Sequence, residues 1–208
     1  QGRTLCWVHG GPTDPWQVEF MPRVAYWWAQ GYDVLVPDPR GSTGHGRRYQ
    51  QALQGEWGRL DVDDVAAILA DSHARGRSTP GRTVMIGSSS GGLAVLAVLA
   101  RHGDLAAGGV APYPVTDLSV LAAESHRFEA HYTDSLVGPL PETLEAYRAR
   151  SIVPRAAELA TPVLVLHGTN DDVVPAGQSE ALAAKSTFVS LHTYDGEGHG
   201  WRRPETTI

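Results

Sequence analysis

Short apolar runs recur along this chain at intervals long enough to hold a helix between them. Leu5-Cys6-Trp7-Val8, Asp33-Val34-Leu35-Val36, Thr83-Val84-Met85-Ile86, Gly108-Gly109-Val110-Ala111, Val163-Leu164-Val165-Leu166 and residues 189–194 have the length and the β-branched and apolar content of strands. Most are apolar at consecutive rather than alternate positions, which marks strands buried on both faces of a sheet. Periodic segments at about 16–30, 61–75, 90–101, 142–150 and 176–186 predict helices between them. Strand and helix alternating in this way predict an α/β fold, a mostly parallel twisted sheet with right-handed crossovers and helices on both faces. Residues 112–160 break the rhythm, with Pro112, Pro114, Pro139, Pro141 and Pro154 between two strands. An insertion at the carboxyl end of a strand is expected to cover the active site. No repeat or low-complexity linker divides the chain, so residues 1–208 read as a single domain.

Composition narrows the function classes. With 42% apolar and 19% charged residues the chain has the balance of a globular domain with a real core. A net charge of −6 without any basic run argues against binding nucleic acid, since nothing could neutralise a phosphate track. A single cysteine, Cys6, excludes an internal disulfide and a Cys-rich zinc site, and reads as a small apolar residue in a strand. No stretch approaches the ~20 apolar residues of a membrane-spanning helix. No charged-then-apolar leader precedes the first strand, and a cytoplasmic location is the expectation. The opening at Gln1, and the Pro204-Glu205 pair that would suit a helix's first turn just before the end, suggest a piece of a longer polypeptide.

The chemistry-bearing residues sit where strands end. Gly87-Ser88-Ser89-Ser90-Gly91 follows one predicted strand and precedes a helix of small residues, the strand–turn–helix context that a G-x-S-x-G nucleophile requires. Of three consecutive serines, only Ser89 has glycine at both −2 and +2. His9-Gly10-Gly11-Pro12 follows the first strand, and glycine there lets a backbone N–H point into the site. Gly11 and Ser90 are therefore the candidate N–H donors of an oxyanion hole. In this arrangement the acid comes next and the base last. Asp171 and Asp172 both occupy the loop after the strand at 163–166. His199 stands in a glycine-flanked loop after the last strand, the only one of nine histidines so placed. His9 and His167 read as structural parts of their loops. The constellation needs neither a metal nor an organic cofactor.

Together these motifs resemble the catalytic α/β-hydrolase domain of the prolyl oligopeptidase family of serine peptidases, nearest to its acylaminoacyl-peptidase and aminopeptidase branches. The resemblance covers almost the whole chain. Its most specific part is Pro39-Arg40-Gly41-Ser42-Thr43-Gly44-His45-Gly46-Arg47, with Gly55-Glu56-Trp57-Gly58 and Asp61-Val62-Asp63-Asp64 behind it. Pro114-Val115-Thr116-Asp117, Tyr132-Thr133-Asp134 and Gly196-Glu197-Gly198-His199-Gly200 are similar to the family too. Its D-x-x-V-P pattern falls on Asp171, Val174 and Pro175, which favours Asp171 over Asp172 as the acid. Histidine at position 9, where some branches carry tyrosine, implies a backbone amide as the second oxyanion donor. The resemblance further implies an N-terminal β-propeller in the full-length protein, none of which is in this sequence, and first strands and a last helix of the domain that are also missing. Burial at the open sheet edge should then be incomplete.

A small peptide is the implied substrate, with a homo-oligomer possible. Phe128, Tyr132, Leu136 and Val137 are candidate apolar contacts for the residue before the scissile bond, or core residues. Glu129 could bind a peptide α-ammonium or pair with a nearby arginine such as Arg127 or Arg150. Two alternatives stay open. One is a carboxylesterase with the same triad; the other is a catalytically idle domain used for binding or assembly.

Overall fold

The computed structural model describes residues 2–124, 130–203 and 206. In chain order its elements are β1 (Arg3–Val8), α1 (Pro22–Ala29), β2 (Tyr32–Leu35), α2 (Arg47–Gln51), α3 (Leu60–Ala74), β3 (Thr83–Gly87), α4 (Ser90–Arg101), β4 (Gly108–Pro112), α5 (Leu118–Glu124), α6 (Ala130–Val137), α7 (Leu144–Arg150), β5 (Val163–Gly168), α8 (Gly177–Ala183) and β6 (Val189–Tyr194). The strands form one sheet in the order β2-β1-β3-β4-β5-β6, every pair parallel. All six predicted strands are present. The chain runs outward from β1 to β2, then returns past β1 to β3, so the winding reverses between β1 and β3. In an open parallel sheet ligands bind beyond the carboxyl ends of the strands at such a point. The register there pairs Val8 with Gly87, which sets the two glycine loops that follow them side by side.

Burial explains which sequence stays near the site. Helix α4 is apolar on every side, and Leu93, Val95, Leu96, Val98 and Leu99 are all buried. A helix without a polar face belongs inside a protein, and α4 packs under β3 and β4. Each such side chain contributes roughly 1.5–3 kcal/mol. Cys6 is fully buried, and desolvation pushes its thiol pKa up to about 12, so it serves as a small core residue. The edge strand β2 has no fully buried residue, and α1 beside it leaves Tyr26 and Trp28 largely exposed. Among the described residues no helix is long and apolar enough to cross a membrane.

The structure departs from the sequence reading in its helices. The helix expected from position 16 begins at Pro22, whose fixed φ suits a helix's first turn. Upstream, the Trp16 amide N–H donates to Asp38 Oδ1 (2.9 Å) and holds the chain in a loop instead. The insertion 112–160 is also more ordered than its prolines imply, containing α5, α6 and α7.

Helix α3 opens on a buried carboxyl. Asp61 Oδ1 accepts the Gly58 N–H at 2.7 Å. Burial is the larger influence and outweighs the backbone hydrogen bonds and the charge of Arg150, raising the Asp61 pKa from 3.8 to about 6. A carboxyl that holds its proton more tightly when folded adds stability below pH ~4 and loses it as the pH climbs through 6. A rise of that size corresponds to about 3 kcal/mol. Asp61→Asn should therefore flatten this decline and be the more stable protein at pH 7, which urea unfolding midpoints measured from pH 4 to 7 would show.

Candidate active site

At the end of β3 the backbone turns through Ser89 with φ 56° and ψ −122°. That region is costly for a side chain by about 1–3 kcal/mol and persists only when the surroundings enforce it. They do so here from three sides. The Ser89 N–H donates to the carbonyl of Pro112 (3.2 Å), the Ser89 carbonyl accepts the N–H of Val115 (3.1 Å), and α4 begins one residue later. Gly87 and Gly91 are required by close approach. A Cβ on Gly87 would stand 2.4 Å from the Gly91 carbonyl oxygen, and one on Gly91 would meet the His9 and Val8 carbonyl oxygens at 2.5 and 2.6 Å. Gly91→Ala would thus push the loop after β1 away from the turn. A displacement of ~1 Å is worth about 100-fold in rate. We expect kcat/KM to fall at least that far in Gly91→Ala, with a lower melting temperature from overpacking.

The loop after β1 lies against this turn, since a Cβ on Gly10 would sit 3.6 Å from Ser89 Cβ. Gly11 follows with φ 44°. Ser90 is the first residue of α4, where backbone N–H groups have no partner within the helix. The Pro39–Arg47 segment braces the same loop. His9 Nε2 is 2.8 Å from Ser42 Oγ, which itself donates to the Pro39 carbonyl (2.7 Å), and Arg40 grips Asp64 with two nitrogens at 2.6–3.0 Å. This most distinctive part of the sequence therefore acts as scaffold.

On the loop after β5, Asp171 is enclosed and Asp172 is exposed, so the structure singles out the first as the residue facing inward. Asp171 Oδ1 accepts the N–H groups of Val173 (2.9 Å) and Val174 (2.8 Å), which is the local reason for an aspartate three residues before that valine. Oδ2 accepts Nδ1–H of His199 at 2.8 Å. Burial alone would raise the Asp171 pKa, but the adjoining His167 ring, with Nε2 3.3 Å from Oδ2, and hydrogen bonds from His199 and Val174 overcome it and hold the carboxyl well below the usual range. With Nδ1 fixed as the donor, Nε2 of His199 is left to accept a proton.

Asp171 and His199 are thus brought together directly. Ser89 reaches them through residues 112–115: its backbone is bonded to that segment, and the ring of Tyr113 lies 4.6 Å from the His199 ring. Among the described residues no hydrogen bond joins Ser89 Oγ to His199. Such contacts commonly tighten only when substrate is bound. Tyr113 escaped the sequence reading, although a tyrosine between two prolines right after a strand marks a constrained position. It has φ 37° and also packs on Trp201 at 5.3 Å. For Glu197 the sequence offers only its place in the Gly196–Gly200 motif, without a role. Its buried carboxylate accepts the N–H groups of Arg202 (3.1 Å) and Arg203 (3.0 Å) and the Thr206 hydroxyl, and so ties down the loop carrying His199.

The pocket candidates divide. Leu136 and Val137 are 3% exposed each and belong to the hydrophobic core, the second of the two roles open to them. Tyr132 is partly exposed and its hydroxyl lies 3.1 Å from Thr13 Oγ1, so the insertion reaches across to the loop after β1. Phe128 and Glu129 lie outside the described residues.

A parallel sheet wound about a β1/β3 switch point, with a strained serine turn between β3 and α4, is the α/β-hydrolase fold. The pattern of the prolyl oligopeptidase family matches residues 18–208, and this chain belongs to that family. The acylamino-acid-releasing enzyme of Arabidopsis thaliana is 29% identical over 96% of the chain and 28% of its own length. Dipeptidyl aminopeptidase BIII of Pseudoxanthomonas mexicana is 31% identical over 95% of the chain and 30% of its own length. A puromycin-hydrolyzing peptidase of Mycobacterium tuberculosis superimposes with a TM-score of 0.92 at 34% identity, covering 96% of this chain and 31% of that one. The chain spans less than a third of the length of these relatives.

Proposed function

We propose that the full-length protein is a serine peptidase that cleaves short peptides through an acyl-enzyme, releasing a unit from the amino end. The observation that carries this reading is the hydrogen bond from His199 to the enclosed Asp171 at the sheet end where Ser89 sits on its strained turn. His199 Nε2 takes the proton of Ser89 Oγ as that oxygen bonds to the substrate carbonyl carbon. The N–H groups of Gly11 and Ser90 hold the resulting oxyanion. His199 then gives the proton to the departing amine nitrogen as the C–N bond breaks. Water repeats the sequence on the ester, freeing the acid and restoring Ser89. Asp171 stays ionised, orienting the imidazole and stabilising it while charged.

Release from the amino end is supported by the relatives, whose names describe a dipeptidyl aminopeptidase and an acylamino-acid-releasing enzyme. Their greater length is consistent with an N-terminal β-propeller beside this domain, and we include one in the proposal. Steady-state hydrolysis by the full-length protein tests the reading. Aminoacyl and dipeptidyl anilides should be cleaved with a higher kcat/KM than short acyl esters; a preference for the esters would mean a carboxylesterase.

A further inference from the structure

We propose that His167 is a positioning residue for Asp171: it sets the plane of the carboxylate so that Oδ2 is presented to His199. The proposal rests on the reading of Asp171 and His199 as acid and base.

The first reason is where His167 sits. On β5, Val163, Val165 and His167 fall on one face, at the strand's period of two, and all three are buried. That face calls for another valine at 167, since burying a polar ring costs free energy unless each nitrogen finds a partner. Both nitrogens do. Nε2 lies 2.8 Å from the Val174 carbonyl oxygen and 3.3 Å from Asp171 Oδ2. These are acceptors only, so Nε2 carries the hydrogen. Nδ1 lies 2.6 Å from Ser179 Oγ, and Ser179 is fully buried. A neutral ring with its hydrogen on Nε2 accepts the Ser179 hydroxyl hydrogen at Nδ1, and the tautomer is settled by its neighbours.

The second reason is what this does to Asp171. The side chains of His167 and Asp171 are both fully enclosed, so the contact is unscreened by water. Two backbone N–H groups fix Oδ1, leaving rotation about the Cβ–Cγ bond to be set at Oδ2. Oδ2 is met by the fully buried His167 at 3.3 Å and by the partly exposed His199 at 2.8 Å. The ring itself is anchored by its hydrogen bonds to the Val174 carbonyl and to Ser179 of α8, so the edge it presents to Oδ2 is fixed. Support of this kind keeps a catalytic group within a few tenths of an ångström of its working position.

The test uses the full-length protein and an aminoacyl anilide, with two substitutions that separate packing from hydrogen bonding. His167→Leu fills the space with apolar atoms; His167→Gln keeps an N–H donor near the place of Nε2. For His167→Leu we expect kcat to fall roughly 10- to 100-fold with KM within about twofold, the pattern of a lost transition-state interaction. His167→Gln should recover kcat to within about fivefold of the wild type. A His167→Leu kcat within twofold of the wild type, or equal losses in both variants, would overturn the proposal. Should His167→Leu fail to fold, the nitrogen chemical shifts of 15N-histidine in the wild type decide, since a hydrogen on Nδ1 of His167 also overturns it. Asp171→Asn in parallel separates the two roles: if that variant keeps full activity, the acid assignment is wrong, whereas its inactivation beside an unaffected His167→Leu condemns the His167 role alone.

Discussion

Alanine at position 89 should reduce kcat/KM for an aminoacyl anilide by roughly 10⁴- to 10⁶-fold, the scale of losing the nucleophile in a triad that works as a unit. Stability should hardly change. The Ser89 side chain makes no capping hydrogen bond to α4, and the turn is maintained by backbone contacts to Pro112 and Val115 that alanine preserves. Alanine also tolerates φ 56° no worse than serine does. Unfolding midpoints should therefore agree within about 0.5 kcal/mol, as for substitutions that touch no packed or bonded group. Ser88→Ala and Ser90→Ala provide the contrast. The role proposed for Ser90 needs only its backbone N–H, which alanine retains, so both variants should stay within about tenfold of the wild type. If Ser88→Ala or Ser90→Ala proved as inactive as Ser89→Ala, the turn, and not one hydroxyl, would have been damaged.

Asparagine at position 171 should cost about 10⁴-fold in kcat, because it inverts the hydrogen-bond polarity seen by His199. The amide oxygen would take over from Oδ1, where the Val173 and Val174 N–H groups require an acceptor. The NH₂ group would then stand in place of Oδ2 and confront Nδ1–H of His199 at 2.8 Å. Relief requires His199 to move its hydrogen to Nε2. In that tautomer it cannot accept the Ser89 proton. The same NH₂ also comes to lie 3.3 Å from His167 Nε2, itself a donor, so a second unfavourable pairing is buried with the first. Since Asp171 is enclosed, this should lower stability as well, by roughly 1–3 kcal/mol for the groups left unpaired. Assays should show kcat collapsing with KM little altered, while thermal unfolding shows a lower midpoint. Asp172→Asn, an exposed change, should do neither.

Much of the fold and of the site's geometry is legible in the sequence because the decisive features are local. The strands announce themselves as consecutive apolar residues, since a parallel sheet hides both faces. Ser89 is selected by glycines two residues to either side, and the contacts of Gly87 and Gly91 show why nothing larger fits. Asp171 was separated from Asp172 by pattern, and its two bonds to the following amides supply the physical cause. What escaped depends on partners far along the chain. Tyr113 gains its meaning from His199 and Trp201, which follow it only after two more strands. His167 was read as a structural part of its loop, and its special feature, a polar ring on the buried face of β5, needs the strand register to be seen. The short helices α2, α5 and α6 were missed because isolated helices below about 12 residues are not stable by their own propensity. They exist because tertiary contacts hold them, as where the amides of Gly55 and Trp57 donate to the carbonyls of Ser135 and Leu136 in α6 (3.1 and 3.0 Å).

Whether Ser89 is the nucleophile can be read by covalent labelling of the full-length protein with a fluorophosphonate, followed by mass spectrometry of its peptides. Only a hydroxyl activated by a neighbouring base reacts at a useful rate. We expect a single adduct on Ser89, absent in Ser89→Ala and greatly slowed in Asp171→Asn. An adduct on a different residue, or no adduct on the native protein, would rule out Ser89 as an activated nucleophile.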